Sequence, residues 1–165
     1  MRQSHLVLLV ALLAGAAQAG PGDELPRNKA AVRKVFEEIL SQGNWEVFDE
    51  VHTKDFVAHA GKETFTAAQD LAFAKGWRDA FPDGVSTVEQ VVAEGDLVVV
   101  RWTGRGTNTG SGNGLPATGR RVEVGGITIF RMVEGRIAEE WGVTESLSLR
   151  RQLGILCPEP ASKKP

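Results

Sequence analysis

Proton transfer near neutral pH needs a histidine or a carboxyl with a shifted pKa, and this chain offers several of each. His59 closes Asp55-Phe56-Val57-Ala58-His59, a weakly alternating run that reads as a short strand. At a strand end it either exchanges protons with a bound molecule or serves as a hydrogen-bonded structural residue at a pocket rim. Glu145 follows Trp141 and Val143 at a period of two, which puts all three on one strand face. Thr128 and Phe130 share a face of the neighbouring strand by the same rule. A carboxyl ending an aromatic-lined face has its pKa raised by burial and serves as a base; in water it is only a solvated strand end. Glu139 and Glu140 point to opposite faces of a regular strand, so one at most enters an enclosed space.

Other polar residues read as structural. His52 stands in a charged segment and is expected to be exposed. His52, Asp55 and His59 form no compact ligand set, so no metal is expected. Trp77, Trp102 and Trp141 read as core or pocket wall. Arg101, set among apolar strand residues, pairs with an acid or, less simply, holds an anionic ligand. Gly104, Gly106, Gly110, Gly112 and Gly114 crowd one stretch, but a strand and not a helix follows, which excludes a phosphate-binding glycine loop. A flexible lid and a plain mobile loop are the two readings left for it.

The elements that must position these groups fall into two blocks. Helical spacing runs through Val32, Val35, Phe36, Ile39 and Leu40 after Pro26, and Gly43 ends it. Asn44 is expected to cap a short helix through Trp45, Val47, Phe48 and Val51. Thr66 and Gln69 make a capping box for a third helix carrying Leu71, Phe73, Ala74, Trp77 and Phe81, stopped by Pro82-Asp83-Gly84. Strands follow. Val88–Ala93 and Leu97–Thr103 flank Glu94-Gly95-Asp96, and Val122–Val133 and Arg136–Val143 flank Glu134-Gly135, giving two hairpins. Helices first and long antiparallel strands afterwards argue for an α+β fold with the helices packed on one face of the sheet.

The chain has 165 residues and a formal net charge of −2, with acidic and basic residues interspersed. That balance argues against nucleic acid and against a polybasic membrane patch. Arg2, the apolar run Leu6 to Ala14 and Ala17-Gln18-Ala19 have the anatomy of a secretory signal peptide, residues 1–19, with Gly20 as the mature start. The run is too short to span a bilayer. Export to the periplasm or medium is therefore expected. Residues 20–156 form one domain, and 157–165, with three prolines and two lysines, read as a disordered tail. Cys157 is the single cysteine, so no internal disulfide supports the core.

Gly95 to Thr103 (GDLVVVRWT) leads into Gly106 to Gly110 (GTNTG). Gly114 to Val122 (GLPATGRRV), Gly126 to Arg131 (GITIFR) and Gly135 to Trp141 (GRIAEEW) follow, ending near Gln152-Leu153-Gly154. In this order and spacing the stretches resemble the SnoaL-like polyketide or ester cyclase family, within the nuclear-transport-factor-2-like superfamily, over roughly residues 28–154. The resemblance implies a cone of N-terminal helices on a strongly curved antiparallel sheet. It implies a small-molecule ligand or substrate and acid/base chemistry of the cyclase or isomerase type, with no cofactor, and a homodimer through the open sheet face. Members commonly carry His after Gly-Thr and Asp after Gly-Ile, where this chain has Asn108 and Thr128. Asparagine donates to an oxyanion but moves no proton, and threonine is no base at neutral pH. The set expected here is therefore His59 and Glu145 for proton transfer, Asn108 as oxyanion donor, and Trp77, Thr128, Phe130 and Trp141 against the ligand. The alternative is a binding or dimeric interaction module that has lost the acid/base pair. Export counts against a role in polyketide synthesis, which is normally cytoplasmic.

Overall fold

A computed structural model describes residues 24–156. The expected signal segment, Cys157 and the tail lie outside the described residues. Helix α1 spans Glu24–Lys34 and runs on as a π-helical turn, Val35–Leu40. The wide turn ends where Ser41 Oγ donates to the Phe36 carbonyl at 2.6 Å and accepts the Ser86 amide at 2.8 Å. Helix α2 is Glu46–Val51 and follows Gly43, whose φ of 71° only glycine adopts at low cost. Its start lacks the expected Asn44 side-chain cap; the Asn44 backbone carbonyl takes the Val47 amide instead.

Strands β1 (His52–Ala60) and β2 (Glu63–Thr66) precede helix α3 (Ala67–Ala80), which begins on the Thr66–Gln69 capping box. Strands β3 (Val85–Glu94), β4 (Leu97–Thr107), β5 (Arg121–Val133) and β6 (Arg136–Thr144) follow, then helix α4 (Ser146–Leu153). The six strands form one sheet in the order β2-β1-β6-β5-β4-β3, antiparallel except where β1 meets β6. The fold is α+β, with the N-terminal helices packed on the sheet. Helix α4 and strand β2 were not read from the sequence. Both are short, and only Leu149 and Leu153 of α4 are buried.

Register decides which residues look inward. Val98 pairs with Phe130, Val100 with Thr128 and Trp102 with Gly126; Thr128 pairs in turn with Gly142 and Phe130 with Glu140. All of these lie on the concave face, with Ala58 opposite Glu140 on the other side. Val32, Phe36, Ile39 and Phe48 of the helices pack with Phe56, Val98, Val100, Phe130 and Ile137 of the sheet in one core. A second cluster, Ala80, Phe81, Leu115, Val122, Leu149 and Leu153, fastens α4 and the long loop to the end of α3.

The long loop 108–120 is pinned, not lid-like. Asn108 is fully buried, and its Nδ2 donates to the carbonyls of Ala80 (3.1 Å) and Gly110 (3.0 Å). Its Oδ1 accepts the Thr118 amide (2.9 Å) and hydroxyl (2.8 Å). Gly110 and Gly112 lie so close to α3 that a Cβ would sit 1.9 Å from the Asp79 and Gly76 carbonyl oxygens.

His52 is buried, contrary to the expectation of an exposed residue, with 3% of its surface accessible. Its ring stacks on Phe48 at 4.0 Å and meets Phe56 edge-on at 4.5 Å. Nδ1 donates to the Phe48 carbonyl at 2.9 Å, and Nε2 has no partner. Burial pulls its pKa down to about 4. The unfolded chain takes up a proton at His52 near pH 6.5 and the folded chain only near 4, so this contribution is complete above 6.5 and lost as pH falls between them. His52→Phe is expected to flatten the acid-side decline in unfolding free energy, by up to about 3 kcal/mol at pH 4 relative to wild type. Urea unfolding from pH 7 to 4 checks this; parallel curves for the two proteins would refute it.

Candidate functional site

Between α1, α3 and the concave face lies a cavity of about 510 Å³. Its walls are mostly apolar: Phe36 and Ile39 from the first helix, Phe73 and Trp77 from α3, Trp102 and Phe130 from the sheet. Arg78 touches it but is committed elsewhere, since Nη1 donates to the carbonyls of Ser41 (2.7 Å) and Gly84 (3.0 Å). Those bonds tie α3 to the end of the first helix and to the start of β3. Arg105 at another part of the wall donates from Nε to Glu123 at 2.8 Å.

Two carboxyls face this space, and neither belongs to the set expected from sequence. Asp70 sits in the first turn of α3, one, two and three turns before Ala74, Trp77 and Phe81 on the helix's inward side. Glu140 projects from β6 between Ala58 and Phe130. Burial raises the pKa of Asp70 to about 6. Burial, and then the negative charge of Asp70, raises Glu140 to about 8. Among the described residues no cation or hydrogen-bond donor offsets either effect. The two titrate as a pair that holds a proton near neutral pH. Such a pair contains a base and an acid at once, with carboxylate and carboxylic acid exchanging roles.

The residues singled out from sequence are distributed differently. Trp77, Thr128 and Phe130 line the cavity. Trp102 belongs beside them: its ring lies across Gly126, where a Cβ would come within 2.2 Å, and its Nε1 donates to Thr128 Oγ1 at 3.1 Å. Asn108 does not line the cavity; its side-chain bonds are spent on the loop and on the end of α3. Glu145 is exposed and outside it, with Oε2 accepting the Gly125 amide at 2.9 Å just before α4. Trp141 lies on the convex face, because Thr128 pairs with Gly142 and not with Trp141. Sharing a face with Thr128 would have required a register one residue away.

His59 borders the cavity, but its ring stacks on Trp141 at 5.0 Å with planes 3° apart. Its Nε2 lies 3.5 Å from Glu139 Oε1. Glu139 is gripped by Arg131 Nε at 2.6 Å, which holds its carboxyl below the usual range. The opposite orientations of Glu139 and Glu140 follow the alternation read from the sequence. Arg101 makes no ion pair among the described residues; its Nε donates to Gln90 at 3.1 Å. Among the described residues no group of three His, Cys, Asp or Glu side chains is arranged to hold a metal.

An inward carboxyl on an otherwise apolar helix side was a legible signal for Asp70. Glu140 was legible only as one of two alternatives. The folded chain keeps a proton on Glu140 up to about pH 8, whereas an unfolded carboxyl releases it near 4.5. Its contribution to stability is therefore intact below 4.5 and lost as pH rises toward 8. Glu140→Gln is expected to melt at least about 3 °C above wild type at pH 8 and close to it at pH 5. Calorimetry at the two pH values checks this, and an equal offset at both would contradict burial of a titrating group.

The SnoaL-like polyketide cyclase family matches residues 30–153. No curated protein matches the chain at a significant level. Solved structures do. A protein named as a SnoaL-like polyketide cyclase from Jannaschia sp. CCS1 is 27% identical with a TM-score of 0.74, over 86% of this chain and all of that one. AclR from Streptomyces galilaeus, named as a hydroxylase, is 26% identical with a TM-score of 0.72, over 82% of this chain and 90% of its own. An epoxide hydrolase of the LEH-like type from M. tuberculosis shares the fold at 14% identity and a TM-score of 0.60, over 78% of this chain and 90% of that one. The chain belongs to the SnoaL-like polyketide cyclase family, on a nuclear-transport-factor-2-like fold.

Proposed function

We propose that the protein binds a small, largely apolar carbonyl compound in its cone and transfers protons at it with Asp70 and Glu140, without a cofactor. One observation carries this reading: two carboxyls face an otherwise apolar cavity with no cation to hold them ionised. The ionised member removes a proton from the carbon beside the carbonyl, and the protonated member supplies one to the enolate. This is the first half of an aldol closure or of an isomerisation, and ring closure is consistent with relatives named as polyketide cyclases. Asp70 and Glu140 replace His59 and Glu145 in that role, because His59 stacks on the outer face and Glu145 is bonded to Gly125. Deuterium uptake at the methyl group of 2-acetylnaphthalene in D2O tests it. Catalysed exchange should follow a bell between about pH 6 and pH 8 and fall on the order of 100-fold in Asp70→Asn and in Glu140→Gln. Exchange no faster than in buffer, or unchanged in both variants, would leave only a binding module.

The finer reading of location and assembly is an exported dimer. The sequence of residues 1–19 supports export. The convex face supports the dimer: Ile127, Ile129, Trp141 and Val143 form an exposed apolar band that continues to Val92 and Leu97. Val143, on an interior strand, is 74% exposed, and Val92, on the edge strand β3, 65%. A second copy presenting the same band would cover it symmetrically. Native mass spectrometry of the protein secreted by its own host should give twice the mass of a chain beginning at Gly20, and Val143→Asp should give the single mass. A wild-type monomer would remove the dimer, and a mass including residues 1–19 would remove cleavage.

A further inference from the structure

We propose that the Thr128 hydroxyl, oriented by the indole N–H of Trp102, is the hydrogen-bond donor that receives the substrate's carbonyl oxygen. The inference rests on the acid/base reading above and supplies the group that reading lacks, since a developing enolate oxygen needs a fixed donor. Trp102 Nε1 donates to Thr128 Oγ1 at 3.1 Å. A hydroxyl has one hydrogen to give, and a hydroxyl that already accepts a bond must aim that hydrogen elsewhere. Among the described residues nothing accepts it, and Thr128 forms part of the cavity wall with 7% of its surface accessible.

The pair is rigid from below. Trp102 covers Gly126, where a Cβ would come within 2.2 Å, so any side chain there would displace the indole. Beside Thr128 the wall is open. Its cross-strand partner is Gly142, and a Cβ at Gly142 would stand 3.8 Å from Thr128 Oγ1. Among the described residues, chain neighbours aside, no other atom lies within 4 Å of that point, so a ligand oxygen has room to approach the hydroxyl to hydrogen-bond distance. Glu140 is the next inward residue along β6, which makes it the diagonal neighbour of Thr128. Diagonal side chains on one face stand about 7–8 Å apart. That distance suits a carbonyl and its adjacent carbon, with a hydrogen bond to Thr128 at one end and a carboxyl at the other.

Two other amide and guanidinium groups of the region are engaged away from Thr128. Asn108 uses its amide on Ala80 and Gly110, and Arg78 directs Nη1 to Ser41 and Gly84.

Infrared spectroscopy of carbonyl-labelled 2-acetylnaphthalene bound to the full-length mature protein tests the assignment. The bound C=O stretch should lie below its value in hexane. Thr128→Val should return it most of the way and weaken binding about fivefold, while Thr128→Ser restores both. If Thr128→Val folds poorly with the Trp102 N–H stranded, Trp102→Phe/Thr128→Val strands no donor and should show the same loss. Glu140→Gln should lower exchange on the order of 100-fold and leave the stretch where it is. A shifted stretch that survives both valine variants would overturn this inference and leave the carboxyl pair standing. Failure of the ketone to bind at all would overturn both.

Discussion

Strand β5 is held between β4 and β6 in one register, and the whole interior follows from it. With Thr128 opposite Val100 and Gly142, the concave face receives Phe130, Glu140 and the edge of Trp102. A slip of one residue would turn these outward and bring in Ile127, Ile129 and the Arg131–Glu139 ion pair. Trp102 over Gly126 guards against that slip. The indole fits only above a residue without a side chain, and its N–H is satisfied only by the hydroxyl two positions on. Packing and hydrogen bonding thus select the same register, and the same contact sets both fold and site.

The cavity carries a thermodynamic cost that the rest of the molecule absorbs. Filling it with apolar side chains would stabilise the fold, as would replacing the two carboxyls by neutral groups. The core around Val32, Phe36, Ile39, Phe48 and Phe130, together with the clamp of Arg78 on Ser41 and Gly84, keeps the walls apart despite that cost. His52 adds a second unfavourable group, a buried ring nitrogen without a partner. Unfavourable groups of this kind gathered at one cavity are what a functional lumen looks like.

Much of the architecture was legible in the sequence because the signals were local. The capping box at Thr66 and Gln69, the two hairpins and the helical spacing from Val32 to Leu40 all reappear. The site was less legible because it depends on pairing between strands. Alternation within β6 separates Glu139 from Glu140, but only its partner in β5 says which of them looks inward. Placing Trp141 and Glu145 with Thr128 assumed the other register. Asn108 had the right chemistry for an oxyanion donor; distant carbonyls at Ala80 and Gly110, invisible in a linear reading, consume it. His52 shows the reverse error, since its charged neighbours point to water while the ring turns in between Phe48 and Phe56.

The docking of loop 108–120 onto α3 bears on how this scaffold can acquire new specificities. Gly110 and Gly112 lie against the carbonyls of Asp79 and Gly76 with no space for another side chain. The loop backs α3 from outside the cavity, and neither can change its path without the other. Length variation in the loop, a common route by which a protein diversifies a binding site, would here disturb the helix behind which it packs without reaching the cavity. Diversity must come from side chains on the fixed wall, where Phe73 and Trp77 meet the ligand space and can change size while the backbone stays in place. In lineages built this way, specificity should drift by substitution and hardly at all by insertion.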